Sequence, residues 1–239
     1  FVNPLQFAPG EDYQRYPREP AQDRAMARAR DVDCLFAPTP EAMYAQPPAI
    51  RLEPGDLIAR LCGPRRPGHF QGVLLVVAKL FHLVAPDVAV FGRKDAQQAV
   101  LVRRMVSDLS FPTVIDVAPV VREADGVALS SRNAYLAPSQ RMAARQLSAG
   151  LEAAHQAFRA GEVAAPQIIQ RVRDVVRSSE IALEYVEAVD PGSLQPMDPV
   201  QADTLLALAA RVGPARLIDN ITLGAGLAGD EFLGAGGGT

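Results

Sequence analysis

VAVFGRKDAQQ, residues Val88 to Gln98, is the stretch on which the reading of the fold turns. Val88 to Phe91 is wholly apolar and short, which fits a strand of a parallel, helix-covered sheet. Gly92 permits a sharp turn, and Asp95 stands where it can cap the next helix. Beyond it, Leu101, Val102, Met105, Val106 and Leu109 recur on one helical face. Strand, turn and helix in that order form the unit of a doubly wound α/β sheet. The expected fold class is therefore α/β, with a Rossmann-like doubly wound parallel sheet over residues 1–120. That sheet is expected to be incomplete at the N-terminus.

Working outward, Phe70 to Val84 is apolar almost all round and ends at Pro86, which predicts a helix buried on much of its surface. Gly63 to Gly68 and the proline-rich stretch Ala45 to Pro54 read as loops. Val32 to Ala37 is strand-like, and Gln22 to Arg30 can form a short helix. Ala8 to Pro20 is a polar loop with aromatic anchors at Tyr13 and Tyr16, of the kind that covers sites. Phe1-Val2-Asn3-Pro4 reads as the end of a buried strand, and with no initiator methionine it leads us to expect a further segment upstream.

On the other side, Asp125-Gly126 marks a turn between Thr113–Val121 and Val127–Leu129. Ser139 to Phe158 and Ala165 to Arg177 predict two helices. Leu183–Val189, Thr204–Val212 and Arg216–Leu223 predict three strands. Residues 121–239 are thus expected to form a smaller C-terminal α+β unit, with a loose Gly-rich tail from Gly224 onward.

Composition narrows the function. The chain has 239 residues, 49% of them apolar, so it can bury a substantial core, and its formal net charge of -3 gives no general attraction to nucleic acid or an acidic membrane. Small ligands are the expected partners. Cys34 and Cys62 form no CxxC pair and have no nearby histidines, which argues against a zinc site or disulfide framework and fits a reducing, cytoplasmic location. The apolar run from Gly72 to Val84 contains Lys79 and His82 and is too short to span a bilayer.

Three constellations can do chemistry. In FGRKDAQQ, residues 91–98, the end of a parallel strand meets a helix start, so backbone N–H groups and Lys94 can face phosphate while Asp95 takes ribose hydroxyls. In LSSRN, residues 129–133, Ser130 and Ser131 offer hydroxyl donors and Arg132 a planar fork able to grip outer phosphates. Arg66 and His69, at the start of the buried helix, can hold an anion. Asn3, Gln6 and Gln98 are amides at strand ends able to read a ligand's hydroxyls. Taken singly, each reads equally well as a capped helix, a polar turn or a satisfied histidine; His82 and His155 take the last reading.

FVNPLQF from Phe1, YPR from Tyr16, RRPGHFQGV from Arg65, FGRKDAQQ, READGVALSSRNAYL from Arg122 and LIDNI from Leu217 occur in this order. Together they resemble the pantothenate synthetase (pantoate-beta-alanine ligase) family over nearly the whole chain. The resemblance implies a two-step reaction, in which ATP activates pantoate as pantoyl adenylate and β-alanine then displaces AMP. It implies that Gly92, Arg93, Lys94 and Asp95 line the nucleotide, that Val121 flanks the base, and that Leu129, Ser130, Ser131 and Arg132 close over the triphosphate. Lys94 and the two serines with Arg132 would carry the catalysis. Gln6 and Gln98 would bind pantoate, with Asn3, Arg66 and His69 lining the same pocket.

The resemblance also implies Mg²⁺, riding mainly on the phosphates, with Asp23 matching an acidic family position although Gln22 and Met26 beside it are poor ligands. A homodimer is expected. Arg93 departs from the acidic residue common at that place. The family's His-x-Gly-His segment has no counterpart in this sequence, so it is expected before Phe1; the chain alone is expected to be inactive, and the full protein from which it comes active. The alternatives are another nucleotidyl-transferring enzyme of the His-x-Gly-His superfamily and a non-catalytic nucleotide-binding chain.

Overall fold

A computed structural model describes residues 1–232. In chain order they form α1 (Pro20–Arg28), α2 (Pro40–Met43), α3 (His69–Val84), β1 (Val88–Gly92), α4 (Ala96–Asp108), β2 (Val114–Ala118) and β3 (Val121–Arg122). There follow α5 (Pro138–Arg159), α6 (Ala165–Val175), β4 (Ile181–Val189), β5 (Leu205–Val212), β6 (Ala215–Thr222) and β7 (Glu231–Phe232), with short 3-10 turns between. β1 and β2 pair in parallel across the α4 crossover, Val88 opposite Val114 and Gly92 opposite Ala118. β4, β5 and β6 form an antiparallel sheet. The α/β class expected from sequence holds, with two strands in the β1–β2 parallel sheet.

The antiparallel sheet is the divider of the molecule. In β5, Leu206, Leu208, Ala210 and Val212 point to a core shared with α5 and α6, where Leu151 and Ile168 are fully buried. The alternate residues Leu205, Ala207 and Ala209 point to a second core containing Val73 and Val77 of α3 and Leu101 and Val102 of α4. A strand covered by helices on both faces is apolar at every position, which explains why LLALA, Leu205 to Ala209, lacks alternation. Removing one such fully buried side chain, Leu151→Ala for example, should cost about 2–5 kcal/mol. The N-terminal and C-terminal halves meet across the second core, and this brings β6 against the end of β1.

Three local expectations fail. Val32 to Ala37 forms no strand; Val32, Leu35 and Phe36 are about half exposed, at 48%, 51% and 51%. Apolar residues cannot make a strand without a neighbouring ladder to pair with. Phe1 to Asn3 is likewise not in a strand, and Pro4–Gln6 is a 3-10 turn packed on α3. The segment after Gly224 is not loose as far as Phe232: β7 pairs with β3, and the Asp230 side chain is fully buried between two arginines. The expected turn at Asp125-Gly126 does form. Gly126 has φ 89°, Glu123 N–H donates to Val127 O at 2.9 Å, and Leu129 N–H donates to Val121 O at 2.8 Å.

Candidate active site

β1 ends in the turn Arg93–Asp95, which leads into α4. Asp95 occupies the cap position of α4, but its carboxylate makes no capping bond and stands exposed, contrary to the cap expected from sequence. Its oxygens therefore remain available to a ligand. Lys94, Asp95 and Gln98 line one cleft together with Arg66 and His69 from the start of α3 and Ser130 and Arg132 from the turn after the hairpin. Residues 130 to 132 thus meet residues 94 to 98 across the two halves, which no local pattern in the sequence required.

Arg66 and His69 are tied to each other. The Arg66 guanidinium approaches His69 Nε2 at 2.9 Å, and His69 Nδ1 lies 2.8 Å from the backbone carbonyl of Gln6. A guanidinium only donates and a carbonyl only accepts, so Nδ1 carries the proton and Nε2 accepts. His69 is therefore the neutral tautomer, consistent with burial and the adjacent Arg66 pulling its pKa down to about 4. Arg66 also forms a two-pronged pair with Glu11 at 3.1 and 2.8 Å. Burial opposes ionisation of Glu11, yet Arg66 outweighs it and holds that carboxyl below its ordinary range.

A parallel arrangement holds the second arginine. Arg132 Nε and Nη2 donate to the two oxygens of Asp12 at 2.7 and 2.9 Å, and this keeps the Asp12 carboxyl below its ordinary range. Arg132 also lies over the Tyr16 ring, 5.1 Å from its centroid. Ser130 Oγ accepts from Arg132 N–H at 3.3 Å, Ser131 Oγ donates to Tyr16 Oη at 3.0 Å, and Tyr135 Oη donates to Arg15 O at 2.7 Å. The Ala8–Pro20 loop is thus fastened over the cleft through both candidate anion-binding arginines.

Other expected site residues lie elsewhere. Asn3 is buried with its amide engaged: Nδ2 donates to Gly72 O at 3.0 Å and Oδ1 accepts from Tyr44 Oη at 3.0 Å. Gln6 Oε1 accepts from Asn3 Nδ2 at 3.3 Å, so this glutamine faces Asn3 rather than the cleft lining. Arg93 is drawn away from the cleft by an ion pair with Asp230. Gly92, Val121, Leu129 and Ser131 flank the cleft without lining it. Asp23 is exposed on α1, and among the described residues no group of three or more His, Cys, Asp or Glu side chains is placed to hold a metal.

Sequence reasoning missed the group behind Lys94. Arg122 is fully buried and donates to both oxygens of Asp219 at 2.7 and 2.9 Å, and to Asp230 at 2.7 Å. Asn220 Nδ2 donates to the carbonyls of Arg93 and Lys94, each at 3.0 Å. The only signal was that charged and amide residues interrupt the apolar β6 segment LIDNI, where a buried strand should be uniformly apolar.

A cleft at the carboxyl end of a parallel strand pair, lined by Lys94 and five arginines together with the exposed carboxylate of Asp95 and the amide of Gln98, marks an α/β protein whose site suits an anionic small molecule. The particular kind follows from comparison. The chain belongs to the Pantoate-beta-alanine ligase family, whose model matches residues 1–222. It is 48% identical over 225 residues to the pantothenate synthetase of Pelotomaculum thermopropionicum, covering 94% of this chain and 80% of that protein. It superposes on the pantothenate synthetase of Thermus thermophilus with a TM-score of 0.89 at 47% identity, over 93% and 81% of the two chains. It also superposes on a pantoate-beta-alanine ligase of Francisella tularensis, solved with β,γ-ATP and β-alanine, with a TM-score of 0.73 at 31% identity, over 93% and 77%.

Proposed function

We propose that this protein is a ligase that joins pantoate to β-alanine at the expense of ATP, forming pantothenate, AMP and pyrophosphate. The observation that carries the reading is the meeting of Lys94, Ser130 and Arg132 with Gln98 in one cleft. In the first step a pantoate carboxylate oxygen attacks the α-phosphorus of ATP, the bond to the β-phosphate oxygen breaks, and pyrophosphate leaves with the electron pair. In the second, the uncharged amine of β-alanine attacks the acyl carbon, the bond to the AMP oxygen breaks, and the amine loses its extra proton.

The chain contributes placement and charge. Lys94 faces the charge that develops on the phosphates, Asp95 takes the ribose hydroxyls, and Gln98 orients pantoate. Arg132 and Arg66 stand ready for anionic groups once Asp12 and Glu11 yield them. Closure of the Ala8–Pro20 loop excludes water from an adenylate that would otherwise hydrolyse. Magnesium, carried on the nucleotide rather than by a ligand set in the chain, would neutralise charge on the departing pyrophosphate. A homodimer located in the cytoplasm completes the reading. No helix among the described residues is long and apolar enough to cross a membrane.

The test is exchange of labelled pyrophosphate into ATP by the full protein that includes the segment expected before Phe1, with pantoate and with other hydroxy acids. Exchange that requires pantoate is expected. Exchange with another acid only, or none with pantoate, removes the substrate. Lys94→Ala should lower the exchange rate by about 100-fold or more with little change in melting temperature; a near-normal rate would refute its role.

A further inference from the structure

Lys94 sits on the Arg93–Asp95 turn between β1 and α4, and β6 packs against that turn from the other half of the molecule. Asn220, 2% exposed, places Nδ2 at 3.0 Å from both the Arg93 and the Lys94 carbonyl oxygens. Both neighbours are acceptors, so only the amide nitrogen can face them, and its two hydrogens serve one carbonyl each. Among the described residues Asn220 Oδ1 has no partner, so the contact with the turn is made through the donor end alone.

Asn220 is itself fixed. Its backbone N–H donates to Asp219 Oδ1 at 2.8 Å, and Asp219 is gripped at both oxygens by the buried Arg122. Arg122 and Arg93 share Asp230, so the same charge group ties down the turn's other side chain. Two cations and two anions form a charge-balanced set, buried except at Arg93, that ties the end of β6 to the turn.

We propose that Asn220 is a positioning residue for Lys94: from β6 it fixes the backbone of the Arg93–Asp95 turn and so the place of the lysine ammonium in the cleft. Asn220 lies in the wall of the same cleft, with its amide hydrogens spent on the turn. The role rests on the proposed adenylation at this site, and it acts on that step because pyrophosphate leaves there. Aminolysis of the finished adenylate releases AMP, on whose single phosphate less charge develops than on departing pyrophosphate, so that step leans less on the cation.

The experiment is a double-mutant cycle in that same full protein with Asn220→Ala, Lys94→Ala and both together. It measures single-turnover adenylate formation and, separately, turnover of supplied pantoyl adenylate with β-alanine. Asn220→Ala should slow adenylate formation by about 10–100-fold, as expected for a misplaced catalytic group, and should slow aminolysis less than threefold. In the Lys94→Ala background it should add less than threefold, because it acts through that lysine.

A wild-type rate of adenylate formation in Asn220→Ala, an equal loss in both steps, or losses that multiply in the double variant would each overturn the proposal. Where Asn220→Ala is not recovered folded, Asn220→Ser decides. It keeps one donor, so an intermediate rate supports the role and a wild-type rate refutes it. If the wild type activates another hydroxy acid and not pantoate, the substrate assignment fails, while the same cycle run with that acid still judges Asn220.

Discussion

Acidification should expose His69. In the folded protein its pKa lies at about 4, against an ordinary 6.5, because it is buried and faces Arg66. Between those values the unfolded chain binds a proton that the native chain refuses, so stability falls as pH drops through 6.5 and the loss is complete near 4. From pH 7 to pH 5 the two pKa values give a loss of about 2 kcal/mol, and the whole difference amounts to about 3 kcal/mol. Glu11 and Asp12 are held below their ordinary ranges, so they lose stability only as pH falls through the carboxylate region beneath this window.

The assay is urea unfolding at pH 7 and pH 5 for the wild type and for His69→Asn. Asparagine can keep a donor towards the Gln6 carbonyl but cannot titrate. Expected is a loss of about 2 kcal/mol in the wild type beyond that in the variant. Equal losses in both proteins would show that His69 takes a proton in the native state, and the neutral tautomer argued from its two partners would be wrong.

Gly72 lies under the 3-10 turn at Pro4–Gln6, and a Cβ there would collide with the backbone carbonyl of Leu5. Gly72→Ala should displace that turn, strain its packing on α3 and lower stability by about 1–3 kcal/mol; urea unfolding checks it, and an unchanged midpoint would refute the contact. Asp12→Asn should loosen the Ala8–Pro20 loop from Arg132. The pair is partly exposed, at 18% and 23%, and worth about 1 kcal/mol, so tryptic cleavage at Arg15 or Arg18 should speed up about fivefold.

The elements themselves were largely legible. α3 and α4 follow from apolar periodicity, and β4, β5 and β6 fall within two residues of the runs that predicted them. Lys94, Asp95, Gln98, Ser130 and Arg132 could be picked out because each stands at a strand end, helix start or turn, where backbone and side chain can reach a ligand. Val32 to Ala37 was misread because a strand exists only through a partner, and apolar composition says nothing about whether one is there. Asn3 was misread for a related reason: its amide is engaged by Gly72 and Tyr44, residues distant in the chain.

By itself the sequence determined the local periodicities, a net charge with no general pull on polyanions and, through six ordered motifs, the family. Only the tertiary structure decided that β5 is buried on both faces, that Arg93 pairs with Asp230, and that an asparagine on β6 bonds the turn of Lys94. The reason is one of range. Backbone preference and hydrophobic period act over a few residues, whereas a hydrogen bond or ion pair between positions more than a hundred apart depends on where the packed layers bring them.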